Sequence, residues 1–432
     1  MNSLVVVIIL LFPVLALWKE AGRLTPLVLC SIGLTPVLLG YAQLDGQYGS
    51  HTAWFYAGAL GCWFAGYALY PECRLSKTTD SGRARAASVK TGLSVLLLAL
   101  IVVLFVCYHF SASGVPLFSD DVETERFDFT SSGLFGIPGR MFLFGLPFVV
   151  LLVSMATGRR LARVPRWLSP VIWAAYVSAG LLGGFKGGLV TVLGTMLLAR
   201  TVLSRPLSIR HVAAGWRAMV IFAALLSCAI ISLRYKSLGL ASPRDVLPYL
   251  AMRATTSAAA PGHLAIVRYG IDGSGGEQFL GDVGYFMGKY LPFAGSDPAP
   301  GLPFDKQMSA ALYHTPISPG AFIVPVTVGA FPELVVNVGV IIAFFGMGLL
   351  GVLFAHLVSQ ARRCTSLFRA ATLAFAVYLL QIYLLNGNLV YTVCNFMVMS
   401  GILLTIYKVC GLIARFMLRP AVVMPGGERA AA

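Results

Sequence analysis

Apolar runs of 16 to 24 residues recur along this chain from near its first residue to near its last. A bilayer's hydrocarbon core is about 30 Å thick and needs roughly 20 apolar residues for each helical crossing. In lipid every backbone amide must be paired within the protein, so only helices and closed barrels span it. A barrel would read as ten-residue segments alternating apolar and polar; these runs are continuous, so the spacing predicts helices. Composition agrees: 58% of the 432 residues are hydrophobic and 11% are charged. A soluble domain carries about 25% charged residues and could not cover a core this apolar.

The expected spans lie at 3–18, 24–43, 52–70, 91–110, 140–157, 169–185, 188–204, 218–233, 336–358, 370–385 and 389–410. The fold class is therefore an all-α polytopic membrane protein with about eleven transmembrane helices. The first run, Leu4 to Trp18, has no basic residue before it and no small-residue cleavage site after it, and reads as a retained helix. Residues 1–233 would hold eight spans with a short outer loop at 111–139. Residues 234–335 would form a large outer loop, and 336–432 the last three spans and an inner tail.

Charge orients this layout. Segments 19–23, 71–90, 158–168, 200–217, 359–369 and 408–432 hold 22 of the 32 Lys and Arg but only four acids, Glu20, Glu72, Asp80 and Glu428. Eleven spans put all six on one face, net +18, and leave the other face at −3. By the positive-inside rule the N-terminus is then outside and the C-terminus inside. For a bacterial inner membrane these are the periplasm and the cytoplasm. The net charge of +15 is thus a topology signal and a contact for anionic lipid headgroups, not a nucleic-acid surface. The eight cysteines avoid the two long outer loops and form neither a disulfide framework nor a metal spacing; they read as packing residues.

Within 234–335, Ser242–Arg253 opens with Ser-Pro and predicts a helix. The Gly-, Pro- and Asp-rich 270–305 reads as irregular. The short apolar piece Gly320–Pro332, interrupted by Pro325, reads as re-entrant or interfacial. No internal repeat is visible, which disfavours the secondary transporter folds built from repeats.

Four places could carry chemistry. The early outer loop reads Ser113-Gly-Val-Pro-Leu-Phe-Ser-Asp120-Asp121-Val-Glu123-Thr-Glu125-Arg126-Phe127. Its four carboxylates are either a solvated acidic turn or a site for a general base, which must sit close to an attacking hydroxyl. Gly183-Gly-Phe-Lys186-Gly-Gly188 joins two spans. It is a tight turn or a place where a lysine meets an anion on close-approaching backbone; it lacks the spacing of a P-loop. The large outer loop carries Arg234, Arg253 and Arg268 among seven bases, with His263 and His314. These are surface charges, partners of Asp245, Asp272 or Asp282, or an anion site that grips phosphate. Glu333 lies near the outer end of the ninth span, where an ionisable group is a functional candidate or the partner of an arginine. Asn386-Gly-Asn388 is a tight turn.

Three of these stretches resemble the Wzy-type oligosaccharide repeat unit polymerases. Ser113–Phe127 is similar to that family's G-G-I-P-L-F-S … R-F loop. Gly183–Gly194 resembles its S-R-G turn and following helix, with Phe185-Lys186 in place of Ser-Arg; the charge is kept and the planar fork is lost. Gly329-Ala-Phe-Pro-Glu333-Leu-Val-Val-Asn337-Val-Gly339 resembles its G … E-L-Y … N-F-G segment. The resemblance implies a GT-C-like membrane glycosyltransferase. It would join undecaprenyl-pyrophosphate-linked repeat units on the periplasmic face and release lipid pyrophosphate. The linkage itself carries the energy, so neither nucleotide nor other cofactor is implied, and no metal site is read. Lys186, Arg234 and Arg253 would hold pyrophosphate, with Arg126 and Arg268 as further contacts. Glu123, Glu333 or His314 would act as base. Membrane lipids and a chain-length regulator are implied partners. An O-antigen ligase is the nearest rival. A flippase or transporter would need polar residues inside the spans, which are nearly free of charge.

Overall fold

The computed structural model describes residues 3–70, 89–119, 125, 129, 137–159, 162–183, 188–203, 207–208, 240, 242–269, 272–290, 302–314, 323 and 325–418. Apart from one two-residue antiparallel ladder, Arg23–Leu24 (β1) with Leu207–Ser208 (β2), its regular structure is helical. The first helices are α1 Ser3–Lys19, α2 Pro26–Tyr48, α3 Thr52–Leu69 and α4 Val89–Ser113. Then come α5 Ile137–Gly158, α6 Leu168–Leu182 and α7 Gly188–Val202. Five short helices follow: α8 Val246–Ala254, α9 Thr256–Tyr269, α10 Glu277–Tyr290, α11 Phe304–Leu312 and α12 Ala330–Val338. Three long ones close the fold: α13 Val340–Arg363, α14 Leu367–Asn386 and α15 Leu389–Met417.

Among the described residues six helices are long and apolar enough to cross a bilayer: α2, α4 with the turn after it, α5, α13, α14 and α15. The chain is an all-α membrane protein. Two shorter apolar helices fall on the expected sixth and seventh spans, and α1 and α3 cover the first and third. The expected span 218–233 lies outside the described residues.

Sequence explains the local geometry. Pro147 has no N–H for the Leu143 carbonyl one turn earlier. A π-turn over Met141–Gly145 precedes it, and the Tyr378 hydroxyl of α14 donates to that carbonyl at 3.4 Å. Glycines set the closest helix contacts, because only small residues let backbones in lipid approach so nearly. Gly66 of α3 lies against the Gly348 carbonyl of α13, and Gly351 of α13 against that of Trp63. Trp63, Phe354, Phe148 and Phe375 fill the interior around these crossings.

The bundle has two unlike ends. At one, the basic segments meet. Lys19 reaches the Ala68 carbonyl, Arg23 pairs with Ser208, Gly92 packs on Arg163, and Arg362 donates to Thr201. Arg159 donates to the carbonyls of Val202, Ala361 and Cys364 at 2.8–2.9 Å. At the other end α8–α12 form a layer over the α2–α3 and α14–α15 turns. It has its own small core of Ala265, Phe304, Met308, Val328 and Val336.

Three expectations change. The stretch read as irregular contains α10, whose Gly281, Gly284 and Gly288 fall at helical spacing and whose Asp282 and Phe286 are buried. Of the piece read as re-entrant or interfacial, the described 325–329 is non-helical and held by Val326 N–H to the Asp305 carbonyl and Val328 N–H to that of Asn386, and 330–332 open α12. The helix expected as a span from 336 starts at Val340, because Gly339 at φ 80° breaks the chain into two helices.

Candidate functional site at the loop-covered end

The segment Gly329–Gly339 is where the layer meets the spans. Gly329 (φ 88°) opens α12 and Gly339 (φ 80°) closes it, both in a backbone region that favours glycine. Between them Glu333 is 4% exposed. Its Oε1 accepts the Leu389 N–H at 2.9 Å, the first amide of α15, which has no partner within that helix. Its Oε2 is buried without a hydrogen bond. One turn on, Asn337 Oδ1 accepts the Phe279 N–H at 2.8 Å near the start of α10, and its Nδ2 donates to the Glu333 carbonyl.

Two more carboxyls belong here. Asp282 of α10 accepts the Phe304 N–H at 2.8 Å, at the start of α11. Asp305 faces the Asn388 amide at 3.4 Å. Asn388, in the left-handed region at φ 64°, also caps α15 by accepting from Tyr391 N–H. Burial pushes the Asp282 carboxyl up to about 6 and raises that of Asp305. Burial, then the charges of Asp282 and Asp305, pushes Glu333 up to about 8 against the opposing pull of the Leu389 and Asn388 amides. Glu333 therefore carries its proton at neutral pH.

A second polar cluster joins α9 to the α2–α3 turn. The Asp45 carboxylate accepts the N–H groups of Thr52 and Ala53 and the hydroxyls of Thr52 and Ser50, capping α3. His263 Nε2 lies 2.8 Å from Ser50 Oγ and 3.6 Å from Asp45 Oδ1. Burial holds the His263 imidazole below its ordinary value, against the pull of Asp45. This is not a nucleophile triad. Asp45 and Ser50 share one imidazole nitrogen, and the serine proton has Asp45 to go to. Glycines let α9 sit this close: Gly40 lies under the Thr255 carbonyl and Gly262 against the Tyr41 hydroxyl.

Of the expected site residues, Glu123, Arg126, Lys186 and Arg234 lie outside the described residues. Glu333 is at the centre of the carboxyl cluster. Arg253 is half-buried over the Tyr249 ring and Arg268 is exposed beside Tyr269, each 5.8 Å from the ring centre. His314 is exposed in a left-handed turn after α11, at φ 51°. Two of the three acids weighed as arginine partners do other work: Asp245 accepts from Ser242, and Asp282 from Phe304. Sequence reading missed Asp305, Asp45 and Ser50. Their one signal is an acid next to a helix start in a chain only 11% charged. Among the described residues no group of three His, Cys, Asp or Glu could hold a metal ion.

Compared with known proteins, the chain matches no family model, no curated protein and no solved structure.

Proposed function

We propose that this chain is a membrane glycosyltransferase that polymerises lipid-linked oligosaccharide repeat units at its loop-covered end. One observation carries the reading: ionisable groups gather in a folded layer over one end of the bundle, while the spans beneath are nearly free of charge. Such a layer suits chemistry at one membrane face, and apolar runs nearly free of charge argue against a transporter. The resemblance of three short stretches to repeat unit polymerases supplies the substrate class.

The reaction read for the site is transfer. An acceptor hydroxyl attacks the anomeric carbon of the donor's reducing-end sugar. The bond from that carbon to pyrophosphate breaks, and lipid pyrophosphate leaves carrying the electron pair. Lys186, Arg234, Arg253, Arg268 and Arg126 are the cations proposed to stabilise it. Glu123 or His314 takes the hydroxyl proton. Glu333 is less suited to that step, since it is buried, already holds an amide and carries its proton at neutral pH. Its proposed role is to fix the layer to α15. The proposed setting is a bacterial inner membrane with the basic end in the cytoplasm.

The test is purified protein in detergent with a synthetic polyprenyl-pyrophosphate oligosaccharide matching the host's repeat unit. A ladder of lengthening glycans from the wild type, absent with Lys186→Ala, is the expected result. A product formed only when a lipid A core acceptor is added would make the protein a ligase instead. No product with either acceptor would sink the transferase reading.

A further inference from the structure

Along α13, Gly346, Leu349, Leu350 and Leu353 fall on one stripe. With Leu334 of α12, Tyr383 of α14 and Leu389 of α15 they line an apolar groove of about 320 Å³. Leu349 is 69% exposed and Leu353 44%, so the groove opens sideways, on a helix apolar enough to cross a bilayer. Gly346 keeps it open: a Cβ there would crowd Leu334 at 3.2 Å.

One lining residue carries a polar group. Tyr383 lines the groove, is 1% exposed, and its hydroxyl has no partner among the described residues. Glu333 precedes Leu334 and holds the amide of Leu389, two lining residues; its Oε2 also lacks a partner. Buried polar atoms are nearly always hydrogen-bonded, so an orphan hydroxyl on a lining residue, with an orphan carboxyl oxygen on the residue next to another, points to a ligand that supplies an oxygen there. The chemistry narrows that oxygen. A protonated Glu333 and the Tyr383 phenol can both donate, so one acceptor oxygen on a ligand would satisfy both. Asp282 and Asp305 stand close enough to raise Glu333, and their charges would repel a phosphate. An uncharged ester carbonyl fits. In a glycerophospholipid that carbonyl heads an acyl chain near the depth where a spanning helix begins, and α13 begins at Val340.

We infer that this groove seats one acyl chain of a membrane glycerophospholipid, with its ester carbonyl hydrogen-bonded by the Glu333 carboxyl and the Tyr383 hydroxyl. The seat is separate from the cations assigned to pyrophosphate and does not depend on the transferase reading.

The test uses the full chain in vesicles of phosphatidylethanolamine and phosphatidylglycerol. A trace of phosphatidylethanolamine carries a diazirine midway along one acyl chain, and adducts are mapped by mass spectrometry. Leu349, Leu350 and Leu353 should be labelled several-fold above Ile341, Ile342 and Phe345, which are 59–72% exposed on the same helix outside the groove. Leu350→Trp, which fills the groove, should remove most of the groove adducts and leave the other three unchanged. Tyr383→Phe keeps the shape and removes one donor; a several-fold drop is expected, and this variant keeps the test decisive should Leu350→Trp not fold. Even labelling around α13, or groove adducts untouched by Tyr383→Phe, would overturn the inference. So would displacement of the adducts by a polyprenyl phosphate added at equal amount, which would assign the groove to an isoprenoid chain.

Discussion

At the basic end of the bundle one guanidinium, Arg159, holds the last carbonyls of α7 and α13. At the loop-covered end carboxyls hold the first amides of helices: Asp45 those of α3, Asp282 that of α11, Glu333 that of α15. Helix C-termini carry partial negative charge and N-termini partial positive charge, and each end leaves backbone groups unpaired. Both ends therefore satisfy the same need with opposite signs. They differ in titration. Arginine stays charged at any working pH, whereas burial has moved Asp282, Glu333 and His263 of the other end toward their uncharged forms, and hydrogen bonds hold Asp45 ionised. The basic end is built as a fixed clamp. The loop-covered end is built to respond to protons, which is where chemistry is proposed.

The largest expected effect is at Glu333. Its folded carboxyl titrates near 8 against an ordinary 4.5, so the folded state binds the proton more tightly. The stabilisation is complete below about 4.5 and is lost as pH rises through 8. Between pH 5 and pH 9 the protein should lose on the order of 4 kcal/mol, read as a falling thermal midpoint. Glu333→Gln should flatten that decline. An equal decline in wild type and variant would show that the loop-covered end is not governed by this group.

Next comes the clamp. Arg159→Ala leaves three carbonyls without their donor and should cost about 3 kcal/mol at any pH. Arg159→Lys should recover only part, because a single ammonium nitrogen cannot span the three carbonyls that two guanidinium nitrogens reach. A cost that varied with pH between 5 and 9 would break the contrast between the two ends.

A smaller loss, about 2 kcal/mol, is expected for Asp45→Ala, which strips the cap from α3. Asp45→Asn should lose less, since it keeps an acceptor oxygen. At the low end of the scale stands His263. Its folded imidazole is depressed, so its contribution is present above the ordinary value near 6.5 and fades as pH falls below it. Protection of the α9 amides, taken relative to the intrinsic exchange rate at each pH, should fall from pH 7 to pH 5, and His263→Gln should remove that dependence. The smallest effect separates binding from folding. Arg268→Lys on an exposed side chain should shift stability by less than about 0.5 kcal/mol, yet slow glycan transfer if the guanidinium grips pyrophosphate.

Much of this architecture was legible before any coordinates. Charge alternation along the chain predicted which loops share an end, and the contacts among Lys19, Arg23, Arg159, Arg163 and Arg362 put those segments together. Glu333 stood out because an acid beside a long apolar run is expensive unless held. The helix α10 was not legible. Its glycines argue locally for irregular chain, and only burial of Asp282 and Phe286 against α11 and α15 makes a helix the better solution. Gly339 was read as part of a family pattern, while its consequence is the break that separates α12 from α13.

The sequence by itself determined that this is a helical membrane protein, which segments share a face, and where its few charges lie. Those follow from hydropathy and charge, which act residue by residue along the chain. Only the tertiary structure decided what the charges do. It gave Glu333 an amide from α15, Asp45 the start of α3 and a histidine from more than 200 residues away, and Asp282 the start of α11. A carboxyl's protonation depends on burial and on neighbours brought in by the fold. No spacing along the chain encodes either.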